Sequence, residues 1–257
     1  MITKVILILL LATVLFILSV FIYDYLSYTY HNMNAKELTS KIITTLSAAT
    51  NKDKAIGMKA YMKDQYDYLG LTAPVRKELF KFLWSAYKDD IEAQWRETVI
   101  ILWDKNYREY QYIAMDIIRK IEKKLVVDDL PIIEKLIVEK SWWDTVDFLA
   151  SHGVGTILKR NKNLLSDTVE RYINSDNMWL QRTALIFQLF YKEKTDAHLL
   201  AALIDKTIGS KEFFINKASG WALRQYSRVN PQFVAGYLDL QSQNLAPLTV
   251  REASKYL

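Results

Sequence analysis

Four positions carry side chains that could act together on one substrate. They are Trp143 and Asp147 in Ser-Trp-Trp-Asp-Thr-Val-Asp, Arg182 in Met-Trp-Leu-Gln-Arg-Thr-Ala, and Trp221 in Gly-Trp-Ala-Leu-Arg. On a helix Trp143 and Asp147 stand at i and i+4, neighbours on one face about 6 Å apart, with Trp142, Asp144 and Val146 directed elsewhere. An apolar wall beside a carboxylate penalises ionisation unless a cation is near. Arg182 could supply that cation or bind a phosphate, and Trp221 would add a second aromatic surface. The set suits a cationic, flat or sugar-like group held against a phosphate-bearing chain. Each residue alone also has a scaffold reading: tryptophans at helical spacing commonly fill cores, and Arg182 could pair with Glu170 or Asp176. A carboxylate sharing a face with an indole resists that reading, because a buried acid without a partner is costly.

The elements that must position this set are legible from spacing. Trp143 to Arg182 is 39 residues and Arg182 to Trp221 is 39 again, and Trp103 precedes Trp143 by 40. A fixed interval near 40 in a helix-rich chain points to stacked helical pairs of the HEAT or armadillo kind, whose equivalent positions line one surface. Composition agrees. Seven Gly and four Pro in 257 residues leave few tight turns, which argues against all-β and Rossmann-like plans. The glycines form no phosphate-cradling motif. Without cysteine there is no disulfide, thiol nucleophile or thiolate metal site. His31, His152 and His198 lack ligand spacing, so neither metal nor cofactor is expected. The expected helices are 37–49, 53–66, 75–87, 91–103 and 107–123, one opened by Asp128 or Asp129 with Pro131, then 142–153 opened by Ser141. Further helices span 178–191 after Asp176 or Asn177, 211–226 after Ser210, and 232–240 after Pro231. Thr72 and Pro74 start the helix after the Leu69-Gly70-Leu71 connector.

The formal net charge is +5. Lys4 and Asp24 cancel within the first 34 residues, so the excess belongs to the remainder, as a polyanion-binding surface requires. Val5 to Tyr23 is almost wholly apolar, and 19 residues reach about 28 Å, a bilayer's hydrocarbon thickness. Tyr23, Tyr25, Tyr28 and Tyr30 follow as an interfacial belt would. The expected organisation is therefore a transmembrane anchor within 1–34 and an all-α solenoid over 35–257. A small Lys excess after the span favours a cytoplasmic position for the large domain.

At these residues the chain resembles the AlkD-like DNA alkylation repair glycosylases, built from HEAT-like repeats. The matching stretches are Ala60–Lys63 with Tyr68-Leu69-Gly70, Leu136–Asp147, Ser175–Arg182, and Ser210–Ala218 running into Trp221. The resemblance covers about Lys52 to Lys255, and the Trp-Trp-Asp-x-Val-Asp and Phe-Phe-Ile-x-Lys-Ala motifs are its specific part. The anchor has no counterpart in it.

The resemblance implies excision of cationic N3- and N7-alkylpurines from duplex DNA without deep base flipping, by a monomer using no cofactor. Asp147 would stabilise charge on the deoxyribose and position water, and Trp143 and Trp221 would pack against the sugar. Arg182 would hold a backbone phosphate. Tyr61 matches an aromatic beside the duplex, and Arg224 is a further phosphate candidate. Around the groove Arg76, Lys77, Lys81, Lys159, Arg160, Lys162, Lys217 and Arg228 are the other basic candidates. No lysine stands among the four as a Schiff-base nucleophile, so the chemistry would be monofunctional. The alternative is a non-catalytic solenoid that binds nucleic acid or protein at a membrane.

Overall fold

The computed structural model describes residues 33–257. The apolar segment 5–23 lies outside them, and among the described residues no helix is long and apolar enough to cross a membrane. Those residues form an all-α solenoid of successive packed helices. A capping box, Asn34 with Glu37, opens α1 (Ala35–Ser47), satisfying N–H groups that the first turn cannot bond internally. Helix α2 (Lys52–Tyr61) follows. The helices expected at 75–87 and 91–103 are one long helix, α3 (Ala73–Trp103), kinked where Tyr87 leaves helical geometry (φ −133°, ψ 27°). Against it packs α4 (Arg108–Ile121), then come α5 (Leu130–Val138) and α6 (Trp143–Phe148).

Past α6 the chain does not stop at Gly153. It widens into a π turn over Leu149–Val154 and continues as α7 (Gly155–Arg160). The remainder is α8 (Leu165–Ile173), α9 (Met178–Ile186), α10 (Ala197–Asp205), α11 (Phe213–Ser227), α12 (Pro231–Gln241) and α13 (Pro247–Ala253). Asn177 caps α9 through the Trp179 and Leu180 amides, and Asn230 caps α12 through that of Phe233. Two expected caps do other work. The Ser141 hydroxyl donates back to Ile137 O, and Ser210 accepts from the Glu212 amide ahead of the first turn of α11.

One apolar core runs the length of the stack, with Leu83, Val99, Ile113, Ile133, Val146, Ile157, Ile186, Ile215 and Leu223 fully or almost fully buried. Trp103, which extends the 40-residue interval back by one unit, belongs to this core: it is 2% exposed and its indole N–H donates to Glu139 O. The first two residues of α4 knit the array. Glu109 is completely buried and accepts from the amides of Leu69, Gly70 and Leu71 at 2.9–3.0 Å, so its charge is held by backbone dipoles rather than a counter-ion. Gly70 is required there. Its φ is +86°, and a Cβ would stand 1.9 Å from Asn51 O. Gly70→Ala is expected to cost about 2–5 kcal/mol, from left-handed strain and an immovable backbone contact. A urea unfolding midpoint equal to that of the parent chain would contradict this.

Candidate active site

Helix α6 supplies two of the four side chains singled out by sequence, and two later helices supply the others. Asp147 is met by Arg182 from α9 in a two-pronged fork: Nε donates to Oδ1 at 2.7 Å and Nη2 to Oδ2 at 2.9 Å. Arg182 does not pair with Glu170 or Asp176. Its third nitrogen, Nη1, donates to Phe214 O at the start of α11, and the guanidinium is nearly sealed, with 3% of the side chain exposed. Trp143, Asp147, Arg182 and Trp221 line one open cleft of about 330 Å³, completed by Phe213, Phe214, Lys217 and Arg224. The helical period explains the last group: Phe214, Lys217, Trp221 and Arg224 recur along one face of α11. Gly220 lets that helix approach α13 closely, since a Cβ would lie 2.7 Å from Thr249 O.

Trp143 and Trp221 are neither core nor free, each being partly buried. The neighbouring Trp142 is packing: its ring meets Trp179 and Phe214 at 5.8 and 5.1 Å. Burial pushes the Asp147 carboxyl above the usual aspartate range, the Arg182 fork and charge oppose that, and the Asp144 charge adds to it. The result is an acid that is fixed in direction by its arginine and still more proton-holding than a solvated aspartate.

The basic candidates divide. Arg76 is not a free cation for phosphate: its guanidinium is paired with Asp116, donates to Tyr112 O and lies over the Tyr112 ring. Lys217 and Arg224 border the cleft but share Glu252, each at 2.7 Å, with Lys255 as a third partner at 2.9 Å. Arg160 is turned onto the carbonyls of Lys123 and Leu125, while Lys159 and Arg228 sit over the rings of Tyr191 and Tyr256. Tyr61 is 72% exposed and meets the Trp143 ring edge-on at 6.3 Å. It opens a second cleft of about 420 Å³ on the other side of Trp143, which Lys54, Tyr112 and Asp144 also line.

Asp144 turns away from the cleft that Asp147 lines, as its place on the helical wheel implied, but not to solvent. Arg108 of α4 grips it with Nη2 to Oδ1 at 2.6 Å and Nε to Oδ2 at 3.0 Å, and the Tyr112 hydroxyl donates to Oδ2 at 2.8 Å. The signal was present: Arg108 precedes Asp144 by 36 residues, close to the 35 separating Asp147 from Arg182. Among the described residues no group of acidic or histidine side chains could hold a metal ion.

A helical-repeat array carrying an arginine-fixed acid between two indoles, in an open cleft bordered by cations, is built to receive a polyanion. The chain belongs to the DNA alkylation repair enzyme family, whose sequence model matches residues 42–257. It is similar to a solved structure described as a predicted DNA alkylation repair enzyme from Enterococcus faecalis, at 34% identity and TM-score 0.74, over 81% of this chain and 96% of that one. A crystal structure of smu.31 from Streptococcus mutans UA159 shares the fold at 15% identity and TM-score 0.52, over 72% of this chain and 96% of the other. No curated protein sequence matches the chain. Family membership makes this an enzyme of DNA alkylation repair, with DNA as its partner.

Glu252 gives this region a pH signature. Burial alone would raise its carboxyl, but the hydrogen bonds and charges of Lys217 and Lys255 outweigh that and hold it at about 2. A depressed acid stabilises the fold above its unfolded value, about 4.3, and that contribution is lost as pH falls through about 2. Glu252→Gln is expected to cost about 1–3 kcal/mol at neutral pH and to flatten the acid limb between those values. Parallel acid-unfolding curves for the two proteins would refute the assignment.

Proposed function

We propose that this enzyme is a monofunctional DNA glycosylase that hydrolyses the N-glycosidic bond of cationic N3- and N7-alkylated purines in duplex DNA. The observation that carries the reading is the shared cleft, in which Asp147 is oriented by Arg182 between Trp143 and Trp221. An N-alkylated purine is already a cation. When its bond to C1′ breaks, the electron pair leaves with the base, which becomes neutral, and positive charge grows on the deoxyribose. No strong general acid is needed. A fixed carboxylate near the sugar stabilises that charge and accepts a hydrogen bond from the water that attacks C1′, whose proton then passes to Asp147 or solvent.

Trp143 and Trp221 fit the roles of sugar-packing walls whose ring faces favour the cation. Arg182 commits all three of its nitrogens to Asp147 and Phe214 and is almost fully buried, so its task in this reading is to hold the acid. Lys217 keeps donors beyond its bond to Glu252 and is the better phosphate contact, with 35% of its side chain exposed. The open cleft favours a base left largely in the stack over extrusion into a deep pocket. The apolar segment Val5–Tyr23 adds the proposal that the repair domain, 35–257, is tethered to a membrane from its cytoplasmic side, acting as a monomer.

The test is release of free base from a duplex containing 7-methylguanine by the purified full chain. Asp147→Asn is expected to lower the rate by at least about a hundredfold while retaining affinity for an abasic duplex. Because burial raises the Asp147 carboxyl, the rate should fall with acid at a pH above the ordinary aspartate value of about 3.9. Wild-type release no greater than that of Asp147→Asn would sink the reading, and duplex binding without excision would leave a non-catalytic solenoid.

A further inference from the structure

Asp144 lies one helical turn before Asp147, outside the reacting set, yet it is tied by three hydrogen bonds. Its carboxylate takes both prongs of Arg108 and the Tyr112 hydroxyl. Arg108 is completely buried and does more than grip the acid: Nη1 donates to Lys140 O at 2.8 Å and Nη2 to the Thr145 hydroxyl at 2.9 Å, with the guanidinium 3.9 Å over the Tyr66 ring. One side chain thus spans the entry, first turn and flank of α6.

We propose that Asp144, Arg108 and Tyr112 form a positioning unit that fixes the first turn of α6 and thereby aims Trp143 and Asp147 into the cleft. This rests on the glycosylase reading. Helix α6 has no side-chain cap at Trp142, so the N–H groups of its first turn lack a side-chain partner. At its other end it continues through the π turn into α7. The placement of its first turn therefore rests on partners from neighbouring helices. Arg108 and Tyr112 hold it from α4, and Arg182 holds it from α9. Trp143 adjoins Asp144 in sequence and lines both clefts, so a rotation released at Asp144 carries the indole and Asp147 with it.

The unit also acts through charge. Asp147 faces the Asp144 carboxylate on its own helix, Arg182 on α9, and Lys217 and Arg224 across the cleft on α11. Removing the Asp144 charge removes a like charge and leaves Arg108 uncompensated, and both effects favour ionised Asp147.

A control of like chemistry, though with a half-exposed arginine, exists elsewhere in the molecule. Glu134 of α5 accepts from Arg171 and from the Tyr172 hydroxyl of α8, the same chemistry joining two helices away from α6. The experiment compares 7-methylguanine excision by full-chain wild type, Tyr112→Phe, Asp144→Asn and Glu134→Gln across about pH 4 to 8, with melting temperatures measured in parallel. Tyr112→Phe, which removes the hydroxyl's hydrogen bonds with Asp144 and Tyr68 and no charge, should lower kcat roughly three- to tenfold with KM unchanged. Asp144→Asn should lose more and move its acid limb to lower pH, whereas Glu134→Gln should lose stability alone. If Asp144→Asn does not fold, Tyr112→Phe decides the matter by its kcat. Folded variants with wild-type kcat and pH profile, or losses that merely follow melting temperature as in Glu134→Gln, would overturn the proposal while the glycosylase reading stands. A wild-type chain that releases no base removes both.

Discussion

The structure depends on guanidinium forks that bridge successive repeats. A helical repeat buries apolar surface against its neighbours, but hydrophobic burial is non-directional and leaves rotation about each helix axis weakly fixed. Two-pronged pairing of arginine with carboxylate is directional. Arg108 with Asp144 ties α4 to α6, and Arg182 with Asp147 ties α6 to α9. The third nitrogen of each arginine bonds a backbone carbonyl outside its own helix, Lys140 O in one case and Phe214 O in the other. A helical segment gripped at both Asp144 and Asp147 presents its side chains in one orientation. Removing either arginine would leave a carboxylate desolvated and unpaired, a costlier state than replacing the whole pair by apolar residues.

The same device imposes a compromise on Asp147. Were it merely a scaffold acid, deeper burial with a fully saturated carboxylate would serve, as in Glu109 with its three amide donors. Instead its side chain remains 16% exposed at the wall of the cleft. Arg182 consumes one lone-pair direction on each oxygen and leaves the others facing open space. Glu109 and Asp147 show two solutions for a buried carboxylate in one fold, and only the second leaves acceptor capacity where a ligand can reach it.

The fold class and the cluster were legible in sequence because both follow from periodicity. Equivalent positions in a repeat array recur at the repeat length, and the interval from Trp143 through Arg182 to Trp221 carried that information. Trp103 keeps the interval but occupies an inward position, so the spacing alone does not report facing. Helices α8, α10 and α13 went unread, although Asp196 caps α10 and Pro247 opens α13. The π turn was unreadable, since one extra residue per turn leaves no mark in a 3.6-residue pattern. The pairing of Arg76 could not be foreseen because its acid, Asp116, lies 40 residues away, beyond any local pairing rule. Helical geometry correctly turned Asp144 away from the Asp147 cleft, but it holds within one helix and could not foresee the Arg108 and Tyr112 that the neighbouring helix supplies.

On the proposed reading, this placement explains why so open a site could serve difficult chemistry. An enzyme that must protonate a neutral leaving group needs a dry pocket and an acid strongly shifted in pKa. A substrate that brings its own positive charge needs an anion held at fixed distance and direction, with aromatic faces nearby. A fork between repeats provides the first, and indoles on adjoining helices provide the second, without enclosing the substrate. The repeat-joining ion pair and the reacting acid then become one structural element used twice. Arg108 with Asp144 keeps the joining role, and Arg182 with Asp147, displaced by one helical turn toward the cleft, takes on the chemistry.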